Sequence, residues 1–255
     1  MIALIPARGG STRVPRKNVR VLAGHPLIAY TIAAAKASGV FEQIVVCTDH
    51  NPVCIIATEM GVAFLSRQPA EDAQPDIVWV AQALERYRQQ AFAILRPTSP
   101  FRTAATIQRA YEQFQRSEVH SIRAVQPVRE HPGKMWQWAG PGYPMVPLID
   151  QQWPAQGPGF GNVSRSQPPW HSRPTQSLPQ VYIQNSSLEM AWSYVVPAFG
   201  TISGTKIAPF FTEGYEGFSI DYPDDWDEAE ALAAAHPDAL PRVDVAALSV
   251  TPAAQ

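Results

Sequence analysis

Cysteine is scarce in this chain, charge is thin, and long apolar runs are missing. The 255 residues hold two cysteines, Cys47 and Cys54. That is too few for a disulfide framework or a four-cysteine zinc site, and the spacing is not CxxC. Two small buried hydrophobes is the reading that remains. Charged residues make up 16%, below the ~25% usual for globular chains. Lys+Arg 20 against Asp+Glu 22 leaves −2, so there is no global polycation to hold nucleic acid. No basic–aromatic stripe is present either. No run approaches the roughly 18 apolar residues that span a bilayer. The opening MIALIPARGG lacks the charged leader and apolar core of a signal peptide. The expectation is a cytoplasmic chain that engages neither membrane nor nucleic acid.

Proline is abundant, at 25 residues, alongside seven tryptophans and ten phenylalanines. This composition points to long irregular connections around a packed interior rather than to disorder. The first 120 residues alternate strand-like and helix-like segments. Ile2–Ile5, Gln43–Thr48, Val62–Leu65, Phe92–Leu95 and Ser121–Val128 read as strands. Pro26–Ser38, Asn51–Met60, Asp76–Gln89 and Thr103–Arg116 read as helices. Such alternation predicts an α/β fold with a mostly parallel sheet. From about Pro127 to Gln180 there is no long periodic segment, and a stretch of that length suggests a small lobe. Leu178–Gln184, Lys206–Phe210 and Gly217–Asp221 read as strands, and Asp224–Ala235 as a helix. Residues 237–255 read as a loosely held Ala/Pro-rich tail.

The strongest chemical signal is an asymmetry of charge. Residues 1–41 contain no Asp or Glu, while Arg8, Arg13, Arg16, Lys17 and Arg20 crowd into 13 positions. They surround Gly9-Gly10-Ser11, directly after the first strand. Ligands of open parallel sheets sit beyond the carboxyl ends of the strands. Consecutive glycines let backbone N–H groups approach an anion, and guanidinium forks suit phosphate oxygens. The pattern predicts a polyphosphate site, with a solvated basic loop as the alternative. It is neither a Walker loop nor GxGxxG, which disfavours a dinucleotide cofactor.

At the other end, Asp221 closes an apolar segment. Its hard oxygens suit Mg²⁺, which takes only one or two protein carboxylates. Asp49 is a second metal candidate, with capping of the following helix as its alternative. Asp224, Asp225, Asp227 and Glu228 read as helix-start carboxylates. Arg96, before a turn, would meet an anionic acceptor or else pair with a surface acid. His131 and Lys134 are candidates for acceptor contact, His131 also reading as structural. Trp136, Trp138, Trp153 and Trp170 read as lobe core or dimer contact rather than a stacking platform.

Taken in order, IPARGGSTRVPRKNV, AGHPLIAYTI, IVVCTD, RQPAED, RPTSPFR, EHPGKMW, LPQVYIQNS and SIDYPDDW resemble the acylneuraminate cytidylyltransferases. That family groups the CMP-sialic acid synthetases with their pseudaminic, legionaminic and ketodeoxyoctonate relatives, and the similarity spans about residues 1–235. It implies a Rossmann-like nucleotidyltransferase core, a protruding dimerisation lobe at about 130–185, a homodimer, and Mg²⁺. It also implies that CTP, or another NTP, activates an acidic sugar with release of pyrophosphate. By resemblance, Arg8, Gly9, Gly10, Ser11 and Arg13 fall in the triphosphate loop, and Asn18 and Arg67 at the base and ribose. Arg96, Thr98, Ser99 and Arg102 fall on the acceptor side, and Asp221 at a metal carboxylate. The chain departs from the family pattern at Thr12 (usually Lys), Arg96 (usually Gln), Ser219 (usually Asp) and Asn185-Ser186 (usually Asn-Gly). Arg13 and Lys17 are the cations that would compensate for Thr12, so the expected catalytic set is Arg8, Arg13, Lys17 and Asp221. Two rivals stand beside this: a sugar 1-phosphate nucleotidyltransferase using GTP or another NTP, and a non-catalytic nucleotide-binding homologue.

Overall fold

Apolar, β-branched segments separated by amphipathic ones fold as alternating strands and helices, because each strand buries both faces and each helix only one. The computed structural model describes residues 1–66, 75–149 and 168–244. The chain runs β1 (Ile2–Pro6), a short ribbon of β2 (Val21–Leu22) and β3 (His25–Pro26), α1 (Leu27–Ser38), β4 (Gln43–Thr48), α2 (Asn51–Glu59) and β5 (Ala63–Ser66). Next come α3 (Asp76–Tyr87), β6 (Ala91–Ile94), α4 (Ala104–Arg116) and β7 (Ser121–Pro127). After a second small ribbon, β8 (Trp136–Gln137) with β9 (Val146–Pro147), follow β10 (Tyr182–Trp192), α5 (Val195–Phe199), β11 (Ile207–Phe211) and α6 (Pro223–Ala235).

Seven strands form one sheet in the order β11-β7-β10-β6-β1-β4-β5. β1 pairs in parallel with both β4 and β6, β4 with β5, and β7 with β11, whereas β10 runs antiparallel to β6. The period-2 alternation of β1 sends Ala3 and Ile5 to one face, packed with α1 and α4, and Ile2 and Leu4 to the other, against Trp79, Val80 and Ala83 of α3. The fold is α/β with a mostly parallel sheet, as the alternation of segments predicted. α1 stops at Gly39, which takes the left-handed conformation (φ 64°) that favours glycine.

The chain divides into two units: Met1–Val125 with the described residues from Gln184 onward, and the described residues of Gln126–Ile183. In the second unit, His131 is buried; its Nε2 donates to Pro179 O at 2.9 Å and its Nδ1 accepts the Gly133 N–H. Lys134 donates to the carbonyls of His171 and Arg173. Both residues therefore brace their own unit. Trp170 is buried beside His131, whereas Trp136 and Trp138 are exposed; Trp153 lies outside the described residues.

Three expectations about elements change. Leu178–Val181 is not strand, and the strand there is β10, which runs on to Trp192. Gly217–Asp221 forms no strand, being held by turns and by the Ile220 N–H on Thr98 O at 2.9 Å. The described part of the expected tail is packed: Ala239, Leu240 and Val243 lie against the cluster around Trp226. Cys47 is buried and Cys54 partly so, and neither is joined in a disulfide among the described residues. No described helix is long and apolar enough to cross a membrane.

Candidate active site

The arginine-rich loop leaves β1 at its carboxyl end and stays beside the sheet because Val14 is buried with Ile220 and Trp226 in one apolar cluster. This burial brings the first basic segment of the chain against its last acidic one. Two cation–π contacts reinforce the meeting: the Arg13 guanidinium lies 4.9 Å from the Tyr222 ring centre, and that of Arg20 lies 4.1 Å from Trp226. Inside the loop, Asn18 is buried and its side-chain amide donates to Arg8 O at 3.0 Å. Arg16 takes a left-handed backbone (φ 53°) to turn the chain into the 3-10 helix that carries Lys17.

Lys17 is the hinge of the electrostatics. Its Nζ donates to Ile220 O at 2.6 Å and lies 3.8 Å from Asp221 Oδ1. Burial, joined by Arg13 and Arg8, holds its pKa below the ordinary lysine value, while Asp221 and Asp225 pull the other way. Arg8, Arg13, Lys17 and Asp221 thus share one field, as a phosphate-binding cation cluster facing a carboxylate would require. Ser219, where the family pattern expects an acid, donates its hydroxyl to Asp221 Oδ2 at 2.9 Å. Asp225 Oδ2 accepts the N–H groups of Asp221 and Tyr222, fixing the backbone at the start of α6.

Asp49 caps no helix: His50 stands at the α2 N-cap, and Asp49 Oδ1 accepts the Gly9 N–H at 2.8 Å. A Cβ on Gly9 would lie 3.0 Å from the His50 ring, so any larger residue here must push that ring aside. A Cβ on Gly10 would meet nothing within 4 Å; the space above it is open. Among the described residues no group of three His, Cys, Asp or Glu surrounds a metal position. Asp221, with a side chain 43% exposed, fits a one-carboxylate Mg²⁺ site whose remaining ligands are water and substrate phosphate.

Residues 2–132 match the family model described as "Cytidylyltransferase". The chain belongs to the cytidylyltransferase family. It is 39% identical over 140 residues to the CMP-N,N'-diacetyllegionaminic acid synthase of Legionella pneumophila, a stretch covering 52% of this chain and 60% of that protein. It is 40% identical over 121 residues to the N-acylneuraminate cytidylyltransferase of Escherichia coli, covering 46% and 29% respectively. Against the pseudaminic acid cytidylyltransferase of Campylobacter jejuni it is 33% identical over 121 residues, covering 44% and 52%. The matched stretches thus span only part of these relatives' lengths. In fold the chain is similar to a CMP:2-keto-3-deoxy-manno-octonic acid synthetase complexed with CTP, with TM-score 0.66 at 12% identity over 92% of this chain and 98% of that one. It is similar also to the 2-C-methyl-D-erythritol 4-phosphate cytidylyltransferase of Thermus thermophilus, with TM-score 0.57 at 18% identity over 91% and 98%. The expected nucleotidyltransferase core is therefore the architecture of this chain.

At the residues expected to meet an acceptor the structure departs from expectation. Arg102 is fully buried; it donates to Ser187 O, to Arg96 O at 3.2 Å and to Thr31 Oγ1 at 2.8 Å. It ties the 96–102 loop to β10 and α1, and with no exposed surface it offers a substrate nothing. Burial pushes its pKa down to about 9, which still leaves a cation at neutral pH. Arg96 is held by Asp76 at 2.5 Å and Glu189 at 3.3 Å, so it is no open anion receptor. Burial works against its charge, but Asp76 and then Glu189 more than offset this and raise its pKa. The hydroxyls of Thr98 and Ser99 are buried without a hydrogen-bond partner among the described residues. Arg67 lies outside the described residues. Sequence reasoning missed Glu189, Asp76 and Arg123; the only signal was Arg96 itself, a cation that needed partners.

Proposed function

We propose that this chain transfers a cytidylyl group from CTP to an acidic nonulosonic sugar, releasing pyrophosphate. The observation that carries the reading is the meeting of a carboxylate-free arginine loop with Asp221 through Lys17 at 3.8 Å. The acceptor hydroxyl attacks the α-phosphorus as the bond to the bridging oxygen breaks, and pyrophosphate leaves with the electron pair. Arg8, Arg13 and the Gly10 N–H hold the β- and γ-phosphates and neutralise charge on the leaving group, while the Gly9 N–H on Asp49 and the Ser11 N–H on Gly9 O shape the loop. Asn18 braces the loop from beneath through the Arg8 carbonyl and thereby sets the nucleotide's approach. Asp221 would hold Mg²⁺, which supplies Lewis-acid stabilisation of phosphate oxygens when bound; Asp49, already engaged by Gly9, would be the weaker ligand. A cytoplasmic setting goes with a CTP donor.

The sugar 1-phosphate reading depended on Arg96 as a phosphate receptor, and the two carboxylates on that guanidinium disfavour it. The non-catalytic reading rests on Thr12 and Ser219, which remove charge from two expected catalytic positions; Lys17 beside Asp221 and the Ser219 hydroxyl on that carboxylate favour the catalytic one. A homodimer is part of the proposal. Trp138, Tyr143 and Met145, 58–66% exposed in the second unit, form an apolar set that a second copy would cover. Pyrophosphate release should appear with CTP, Mg²⁺ and at least one member of a panel of nonulosonic acids. Release only with GTP and hexosamine 1-phosphates, or with none of them, overturns the reading. Gly10→Ala should raise the KM for CTP about tenfold while leaving thermal stability unchanged, because its methyl enters phosphate space and no protein atom. Melting curves and steady-state rates check both halves of that expectation.

A further inference from the structure

A cavity of about 410 Å³ opens beside the start of α3, with Asp76, Arg96, Arg123 and Glu189 on its walls and Ile77 and Ile202 among its apolar lining. It is tied to the phosphate site through a short relay. Arg96 precedes Thr98 by two residues, Thr98 O accepts the Ile220 N–H at 2.9 Å, and Ile220 O accepts Lys17. Its four charges are arranged to cancel. Glu189 lies 3.3 Å from Arg96 through one oxygen and 3.0 Å from Arg123 through the other, and Asp76 closes on Arg96 at 2.5 Å. Arg123 also donates to Gln184 at 2.8 Å and to Ser203 at 3.1 Å. Each of the four side chains is less than a third exposed, so the pairing is weakly screened.

An anion entering here finds both guanidiniums already paired with carboxylate, and two carboxylates in contact. Displacing either carboxylate would leave a part-buried charge without its counterion, the costly outcome. A cation meets the same opposition from the arginines. A neutral group that both donates and accepts fits the lining. Arg123 Nε is buried with no partner among the described residues, and carboxylate oxygens accept several bonds each. The isoleucines suit a short alkyl group.

We infer that Asp76 and Glu189 are specificity-determining residues, neutralising Arg96 and Arg123 so that this cavity receives an uncharged amide-bearing substituent of the acceptor sugar and refuses a carboxylate. The inference rests on the proposed sugar-activating function.

The test compares three nine-carbon keto acids identical except at one substituent: acetamido (N-acetylneuraminic acid), free ammonium, and N-succinyl. Binding to the full chain with saturating CTP is measured by calorimetry with divalent metal withheld, so that no turnover accompanies it. Wild type should bind the acetamido probe at least roughly tenfold more tightly than the succinyl probe. Glu189→Gln leaves two guanidiniums against one carboxylate and should narrow that gap at least about fivefold. The double variant R96Q/E189Q is again neutral and should restore the wild-type order; melting curves for both variants establish folding. An unchanged probe order in E189Q, a wild-type preference for the succinyl probe, or binding of none of the three overturns the inference. Failure of the proposed function shows separately, as no pyrophosphate from CTP with any acceptor.

Discussion

Asp221→Asn should lower kcat/KM for CTP by about a thousandfold, roughly 4 kcal/mol of transition-state stabilisation. The substitution removes the carboxylate that lies 3.8 Å from Lys17 and suits a hard metal. Asparagine is nearly isosteric and keeps an oxygen for the Ser219 hydroxyl, now 2.9 Å from Asp221. The contact with Lys17 is 3.8 Å long, and an ion pair of that kind contributes less than about 1 kcal/mol. Folding should therefore survive, and rate and stability should separate. Pyrophosphate release across a Mg²⁺ titration, alongside a thermal melt, measures both. A variant that keeps a tenth or more of wild-type activity at every Mg²⁺ concentration would remove Asp221 from the metal role. Ser219→Ala should cost far less, no more than about tenfold, because it loosens the orientation of the carboxylate without removing it.

Arg102→Met reverses that separation: stability falls first. Methionine fills most of the arginine's volume, so the cavity left is small. The loss comes from three acceptors left without their donor, Ser187 O and Thr31 Oγ1 in buried places and Arg96 O in a partly buried one. Stranded buried acceptors cost about 1–3 kcal/mol each where water cannot reach them, and partial relaxation lowers the sum. A net loss of about 3 kcal/mol is expected, or roughly 6–12 °C in Tm for a domain of this size. Arg102→Lys keeps the charge but not the fork and should fall between the two. Urea unfolding of the three proteins gives the order. Equal stability of Arg102→Met and wild type would return Arg102 to a role outside the fold.

Most of the frame was readable from residue order, for a physical reason. QIVVCT carries an apolar, largely β-branched run, Ile44–Cys47, as an interior parallel strand should, and β4 spans Gln43–Thr48. The helix of α1 ends where Gly39 permits the left-handed turn. β10 was harder. Its residues Tyr182–Trp192 mix serine, asparagine and glutamate with apolar positions, because part of the strand serves an ion-pair network instead of the core. Glu189 was hidden with it. Asp76 and Glu189 lie 20 and 93 residues from Arg96 in sequence, and no local pattern announces such a pair. Arg102 misled in another way. An arginine after Pro-Thr-Ser-Pro reads as a ligand cation, and only its three remote acceptors explain why it is enclosed. The arginine loop was visible because its charge asymmetry is local. That it meets Asp221 was expected only through the family resemblance and not from any local pattern, since the meeting depends on Val14, Ile220 and Trp226 sharing one apolar cluster.

The most direct measurement is the affinity of CTP against CMP, each with Mg²⁺, for wild type and for the double variant R8Q/R13Q. The two nucleotides share base, ribose and α-phosphate, so their difference isolates the β- and γ-phosphates. Wild type should bind CTP at least about tenfold more tightly than CMP, and the variant should lose that advantage while holding CMP as before. Equal affinities in wild type, or an undiminished CTP preference in R8Q/R13Q, would contradict a loop built to grip the triphosphate.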